Sequence, residues 1–186
     1  YIDYSVTFVS GQRKWNNTSY LNETGDSAIY LRKSDGTWAR HLSPTHGHEA
    51  SVAPEGMDPL PAPEGAPDPD KKYNYPHGTD TFRDGFSALR FDPKYPLFFG
   101  RIEKMVLIVM VERRFGDQWI PYMSPTGGGG QNRPAWDYRF RFKNFDGKEE
   151  HTSRTRLCYK PWISEEDVLK EYDTWIAELE RKQADP

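Results

Sequence analysis

A single cysteine, Cys158, stands in 186 residues. That excludes an intramolecular disulfide and any zinc site built from several thiolates. It falls in the strand-like RLCYK (156–160), with no helix N-terminus or basic pocket to activate it, so a buried, inert thiol is expected. Long hydrophobic runs are also missing. The longest, MVLIVMV (105–111), is far too short to cross a bilayer, so no membrane span is expected. Basic excess is missing too: 25 Lys and Arg against 28 Asp and Glu leave a net charge of −3. Phosphate binding needs clustered Lys and Arg, so no nucleic-acid partner is expected. The locally basic RFRFK (139–143) and RTR (154–156) lie in alternating patterns and read as one solvated sheet face. No initiator Met and no signal peptide open the chain, which begins mid-pattern at Tyr1. A processed chain, or part of a longer polypeptide, is the expectation.

Aromatics, glycine and proline are plentiful. Six Trp, eleven Tyr and ten Phe are too many for a disordered chain, and 15 Gly with 15 Pro argue for short elements joined by turns. YIDYSVTFV (1–9) alternates as a half-buried strand does, with Ile2, Tyr4, Val6 and Phe8 on one face. Residues 11–26 are polar and turn-rich. SAIYLRK (27–33) and TWARHL (37–42) flank Ser-Asp-Gly, a strong hairpin signal because Gly takes the positive φ of the turn. In that hairpin Ala39 and His41 face away from Trp38, Arg40 and Leu42. FSALRF (86–91) reads as a short strand, KMVLIVMVE (104–112) as a central strand covered on both faces, and QWIPYM (118–123) as a strand broken by Pro121. WDYRFRFKNF (136–145) and HTSRTRLCYK (151–160) both alternate and flank an Asp-Gly, which predicts a second hairpin.

Residues 43–78 break the pattern. They carry eight prolines and no apolar periodicity, and so read as one long Pro-rich loop. SEEDVLKEYDTWIAELERK (164–182) is the one helical pattern. Ser164 and Asp167 form a capping-box pair, Ile163 and Val168 a hydrophobic staple, and Val168, Leu169, Tyr172, Trp175, Ile176 and Leu179 an apolar stripe. The fold class is therefore all-β. An antiparallel two-layer β-sandwich of about eight strands spans 1–163, and one C-terminal amphipathic helix, 164–182, packs on a sheet.

No signature names a reaction, but three stretches hold candidate chemistry. In THGHE (45–49), His46 and His48 share a face if the segment is extended. With His77 and a carboxylate, Glu49 or Asp80, they make an acceptable zinc or iron ligand set; the alternative is loop histidines bonded to backbone. YPHGTDTFRDG (75–85) crowds His77, Asp80, Arg83 and Asp84, and a histidine–carboxylate pair there suits acid–base work. The alternative has the Asp residues capping turns. MSPTGGGGQNRPAWD (123–137) is no phosphate loop, since it lacks G-K-[ST] and a following helix. It reads as a flap beside Trp136, with Asn132 and Arg133 at its rim. Trp136 is either a stacking platform for a sugar or, on its alternation, a core residue. SPTHG (43–47) and SPTGG (124–128) share a pattern, and each follows a strand-like run, so both loops are expected at one end of the sandwich.

HGTDTFRDGFSALRFD, PLFFGR, MVLIVMVE and SPTGGGG…PAWDYRF resemble a group of uncharacterised bacterial proteins associated with polysaccharide use, β-sandwiches of the galactose-mutarotase-like, supersandwich kind. The resemblance covers most of the chain after Ser43. It implies a saccharide ligand and an extracytoplasmic location, periplasmic or secreted. Sites of that kind set histidine and a carboxylate around a sugar ring, and His46, His48, His77 and Glu49 match in type. The reading that follows is a carbohydrate-binding or carbohydrate-processing domain. His48 or His77 acts with Glu49 or Asp80 if it is an enzyme, and Arg83, Trp136, Asn132 and Arg133 contact the saccharide, with no cofactor expected. Two other readings stand beside it: a metal-dependent enzyme using His46, His48 and His77 with zinc or iron, and a non-catalytic interaction module.

Overall fold

The computed structural model describes residues 1–8, 16–20, 25–44, 48–57, 85–125, 134–141 and 150–184. They form β1 (Ile2–Phe8), β2 (Asn16–Tyr20), β3 (Gly25–Arg32), β4 (Trp38–His41), β5 (Ser51–Pro54), β6 (Phe86–Phe91), β7 (Leu97–Ile102) and β8 (Met105–Val111). A single 3-10 turn (Arg113–Phe115) leads to β9 (Trp119–Ser124), β10 (Ala135–Phe140), β11 (His151–Pro161) and α1 (Glu165–Ala184). One sheet runs β1-β11-β8-β7-β3-β4 and the other β2-β10-β9-β5-β6. The protein is thus a two-sheet β-sandwich with one C-terminal helix on the outer face of the six-stranded sheet. That helix is too polar to cross a membrane, and no other helix of the described residues is long and apolar enough to do so.

The continuous apolar run of β8 has the expected cause. Val109 and Val111 point into the core between the sheets, where Ile29, Leu31 and Phe98 of the same sheet meet Val52, Phe91, Trp119, Met123, Trp136 and Tyr138 of the other. Val106, Ile108 and Met110 point the other way, into a second core under α1. Val168, Tyr172, Trp175 and Ile176 complete that second core from the helix. Each such burial stabilises by roughly 1.5–3 kcal/mol, so α1 is held by its stripe rather than by its intrinsic propensity. The Ser164 hydroxyl accepts from the Asp167 amide at 3.3 Å, half of the expected capping box. The Asp167 carboxylate does not return to the cap; it pairs with Lys160 at 2.7 Å. Ile163 remains 68% exposed, so it adds little as a staple.

The first hairpin forms as the Asp-Gly predicts, with Ile29 to Arg32 paired against His41 to Trp38 and Gly36 at φ 85°. The second does not. β10 pairs with β9 and β2, whereas β11 pairs with β1 and β8 in the other sheet. The two strands face each other across the core, where the Tyr138 hydroxyl meets the Thr155 hydroxyl at 3.3 Å. Alternation shows that a strand has one apolar face; it does not show whether the next such strand lies beside it or opposite it.

Four further expectations are corrected. The sandwich is not antiparallel throughout: β5 and β6 pair in parallel, Ser51 with Phe86 and Pro54 with Phe91, which the long intervening connection permits. Residues 43–78 are not one loop, because β5 lies inside them with all four residues buried, too short a strand to show a period. The polar stretch 11–26 holds β2, which pairs with β10. Pro121 does not break β9, which is buried from end to end and meets β5 only at Tyr122.

The basic row of β11 is not a solvated face either. Arg156 pairs with Glu178 at 3.1 Å, and Lys160 with Glu171 at 2.6 Å, both beneath α1. On β10, Arg139 donates to the Ser51 hydroxyl and lies over the Tyr122 ring at 5.3 Å. Arg139, Arg156 and Lys160 are thus engaged in packing within the chain.

Candidate functional site

The alternation that ends β4 turns His41 inward, to 5% exposure, and leaves the next residue, Leu42, 43% exposed. Ser43 then closes the segment that contains the histidine loop. Its amide donates to the Met123 sulfur at 3.3 Å, and its hydroxyl donates to the His48 carbonyl at 2.6 Å. The His48 and Glu49 side chains are exposed. Glu49 has φ 52°, in the left-handed region that a residue with a Cβ enters at a cost of about 1–2 kcal/mol. Such strain persists only where surrounding contacts impose it. Here they do: the Ala50 carbonyl accepts from the Met123 amide at 2.9 Å, and the Ser51 amide donates to the Gly85 carbonyl at 3.4 Å. A Cβ on Gly85 would lie 3.1 Å from the Glu49 nitrogen, so glycine permits this approach.

These bonds bring the described ends of all three candidate stretches to one place. Ser43 and His48 to Ala50 bound the first, Gly85 ends the second, and Ser124, paired with Ala135, brackets the third. Ser43 and Ser124, the first residues of the two Ser-Pro-Thr stretches, therefore lie at the same end of the sandwich.

Beside Glu49 and Ala50 lies His41, which alternation sets opposite Trp38, Arg40 and Leu42 on β4 without showing which of the two faces is buried. Burial pushes its pKa down, against the opposing effect of hydrogen bonding to the Ala50 and Glu49 backbone and of the Glu49 charge. Its Nε2 has no hydrogen-bond partner among the described residues. An imidazole kept neutral, with one nitrogen engaged and the other bare, is suited to accept a proton or bind a metal. The signal for it was available: His41 is the polar residue on the inward face of an otherwise ordinary hairpin strand.

Trp136 is not at the surface. It is wholly buried between the sheets, its indole N–H donates to the Ser27 carbonyl at 2.8 Å, and its six-membered ring lies on Gly100. It therefore offers no face to a sugar, and the core reading of its alternation is the one realised. His46, His77, Asp80, Arg83, Asn132 and Arg133 lie outside the described residues. Among the described residues no group of three His, Cys, Asp or Glu is placed to hold a metal ion. The proposed ligand set of His46, His48 and His77 has two members outside that range. Cys158 is buried, and its thiol pKa is raised by desolvation, as expected of an inert core residue.

Comparison with family models, with curated proteins and with solved structures finds no match for the chain.

Proposed function

We propose that the protein is a carbohydrate-binding or carbohydrate-processing β-sandwich whose saccharide site is the end at which residues 43–44, 48–50, Gly85, 124–125 and 134–135 meet. The observation that carries this reading is that convergence: the described ends of three stretches rich in polar residues reach one end of the sandwich through direct backbone contacts. Loops on a rigid scaffold are where binding residues concentrate. The His48 and Glu49 side chains are exposed there, and His41 lies beside Glu49 as a neutral imidazole. The resemblance to polysaccharide-associated proteins supplies the ligand class, and an extracytoplasmic setting goes with it. The test is a glycan array with the wild type, His48→Ala and Glu49→Gln. Both substitutions are at exposed positions and are expected to change stability by no more than about 0.5 kcal/mol. Binding in the wild type that persists in chelator and is lost in the variants supports the reading; no glycan bound by the folded wild type overturns it.

One observation favours a metal-dependent second reading, the bare Nε2 of His41 beside Glu49. Elemental analysis of untagged wild type beside His41→Ala and His48→Ala decides it. About one equivalent of zinc or iron, lost in either variant, supports that reading; none in the wild type removes it.

A further inference from the structure

Among the described residues, β1 and β4 end the six-stranded sheet, and β2 and β6 end the five-stranded one. An end strand leaves a row of backbone N–H and C=O groups unpaired, which another strand can pair with. Natural edges are therefore shortened, bulged, charged or covered. β4, β2 and β6 carry such devices. β4 is only four residues long, and its Arg40 guanidinium is held on Asp26 at 2.7 Å. β2 is five residues long, and its register with β10 slips between Ala135 and Asp137. β6 is irregular against β5 between Ser51 and Ala53, and it satisfies part of that bulge itself. Arg90 donates to the Ser87 and Leu89 carbonyls at 2.6 and 2.8 Å, and the Leu89 amide donates to the Ser87 hydroxyl at 3.1 Å.

β1 has no such device. Its seven residues, Ile2–Phe8, keep an unbroken register with β11, from Ile2 opposite Leu157 to Phe8 opposite His151. The strand IDYSVTF contains no Lys, Arg, Pro or Gly. α1 is seated on β7, β8 and β11, inside this edge. The direction of the free groups follows from the neighbouring ladder. The Glu112 amide donates to the Arg154 carbonyl at 3.1 Å, and the Trp162 amide to the Lys104 carbonyl at 2.9 Å. The even-numbered residues of β11 therefore bond toward β8, and the odd-numbered ones toward β1. Leu157, Thr155, Ser153 and His151 then take the backbone groups of Ile2, Tyr4, Val6 and Phe8, and those of Asp3, Ser5 and Thr7 are left on the open edge.

We propose that β1 is a self-association edge, pairing antiparallel with β1 of a second copy of this chain about a two-fold axis at Ser5, so that the two six-stranded sheets become one. The strand is self-complementary in that register. Ser5 stands opposite Ser5 of the second copy and Asp3 opposite Thr7, so every outward N–H and C=O finds a partner and no like charges oppose. At the alternate positions Tyr4 meets Val6 and Ile2 meets Phe8, an aromatic opposite a β-branched residue each time, which is a favourable cross-strand pair. An axis at Asp3 sets two carboxylates opposite each other, and an axis at Thr7 leaves Asp3 opposite no residue of β1. The same edge serves both copies, as a closed two-fold dimer requires. The inference does not rest on the saccharide reading.

The test is sedimentation equilibrium of the 186-residue chain from micromolar to millimolar concentration. The expected result is a reversible monomer–dimer equilibrium. Ser5→Pro removes the amide at the axis and none of the bonds to β11, a change that edge strands tolerate, and is expected to leave the protein folded and monomeric. Ser5→Lys and Ser5→Asp each set like charges opposite each other on the axis and are expected to weaken the dimer about fivefold. An equal mixture of these two variants is expected to form a mixed dimer tighter than either alone, because opposite charges then meet on the axis. The charge pair decides the matter if the proline variant fails to fold. A wild type that stays monomeric throughout overturns the proposal. So does a dimer that a folded Ser5→Pro leaves intact, which puts the contact elsewhere, or a mixture no tighter than its components, which excludes the register.

Discussion

Gly100→Ala tests the arrangement that removed Trp136 from the candidate site. Gly100 lies in β7, paired with Ile29 on one side and Leu107 on the other, and shares the inward face of Phe98. A Cβ at this position would overlap the six-membered ring of Trp136. The ring cannot simply swing aside, because its N–H is held by the Ser27 carbonyl at 2.8 Å. Overpacking a core costs about 1–3 kcal/mol, and a buried donor left without a partner adds about 1–3 kcal/mol. The expected destabilisation is about 2–6 kcal/mol, a large fraction of the roughly 5–15 kcal/mol that holds a domain together. For a chain of this size that is a fall in Tm of about 4–24 °C. Urea titration of the wild type, Gly100→Ala, Trp136→Phe and the double variant measures it. The smaller ring vacates the space, so the double variant is expected to be more stable than the sum of the single effects by at least about 1 kcal/mol. A Gly100→Ala protein with the wild-type midpoint, or a strictly additive cycle, refutes the packing argument and returns Trp136 to the surface candidates.

The remaining predictions concern titration and burial. The folded pKa of His41 is depressed by burial, below the value near 6.5 of an unfolded histidine. Between the two values the unfolded chain binds more protons, so this contribution to stability is present above about pH 6.5 and is lost as pH falls through the folded value. Urea midpoints at several pH values should show a steeper acid decline in the wild type than in His41→Gln; equal slopes would count against a buried neutral imidazole. For Glu171, burial alone raises the pKa, but hydrogen bonds from Lys160 and Tyr1 outweigh it and the net shift is downward. Its contribution is therefore present above about pH 4.3 and is lost as pH falls further. Glu171→Gln should cost no more than about 1 kcal/mol at neutral pH and flatten the acid limb of unfolding, read by far-ultraviolet circular dichroism. Cys158 should give no reaction with a thiol reagent in the native protein and one equivalent after unfolding; fast native labelling would contradict its burial.

The elements legible in the sequence were those with a local cause. The C-terminal helix follows from a cap, a stripe and end charges that all lie within twenty residues. The β3–β4 hairpin follows from Ser-Asp-Gly, and the covered central strand from MVLIVMV. Half-buried alternation was also readable, and it separated the inward His41 from the outward Leu42. Three strands were not read from the sequence because each lacks a period: β5 is four residues long, β2 is polar, and β7, Leu97–Ile102, is buried without alternation over its first four residues.

The amino-acid sequence by itself determined the all-β class, the single helix and the stretches where polar chemistry gathers, since propensity, period and turn residues act over short range. Tertiary structure alone decided which strands are neighbours. It set β10 against β11 across the core instead of beside it, and β5 parallel to β6. It closed the basic row of β11 under α1 and took Trp136 into the core. It also brought Ser43, Glu49, Gly85 and Met123 together from distant parts of the chain. The physical reason is that an alternating strand specifies only that one face must be buried. Which surface buries it is a matter of long-range packing, and that packing also decides which polar residues come to share a site.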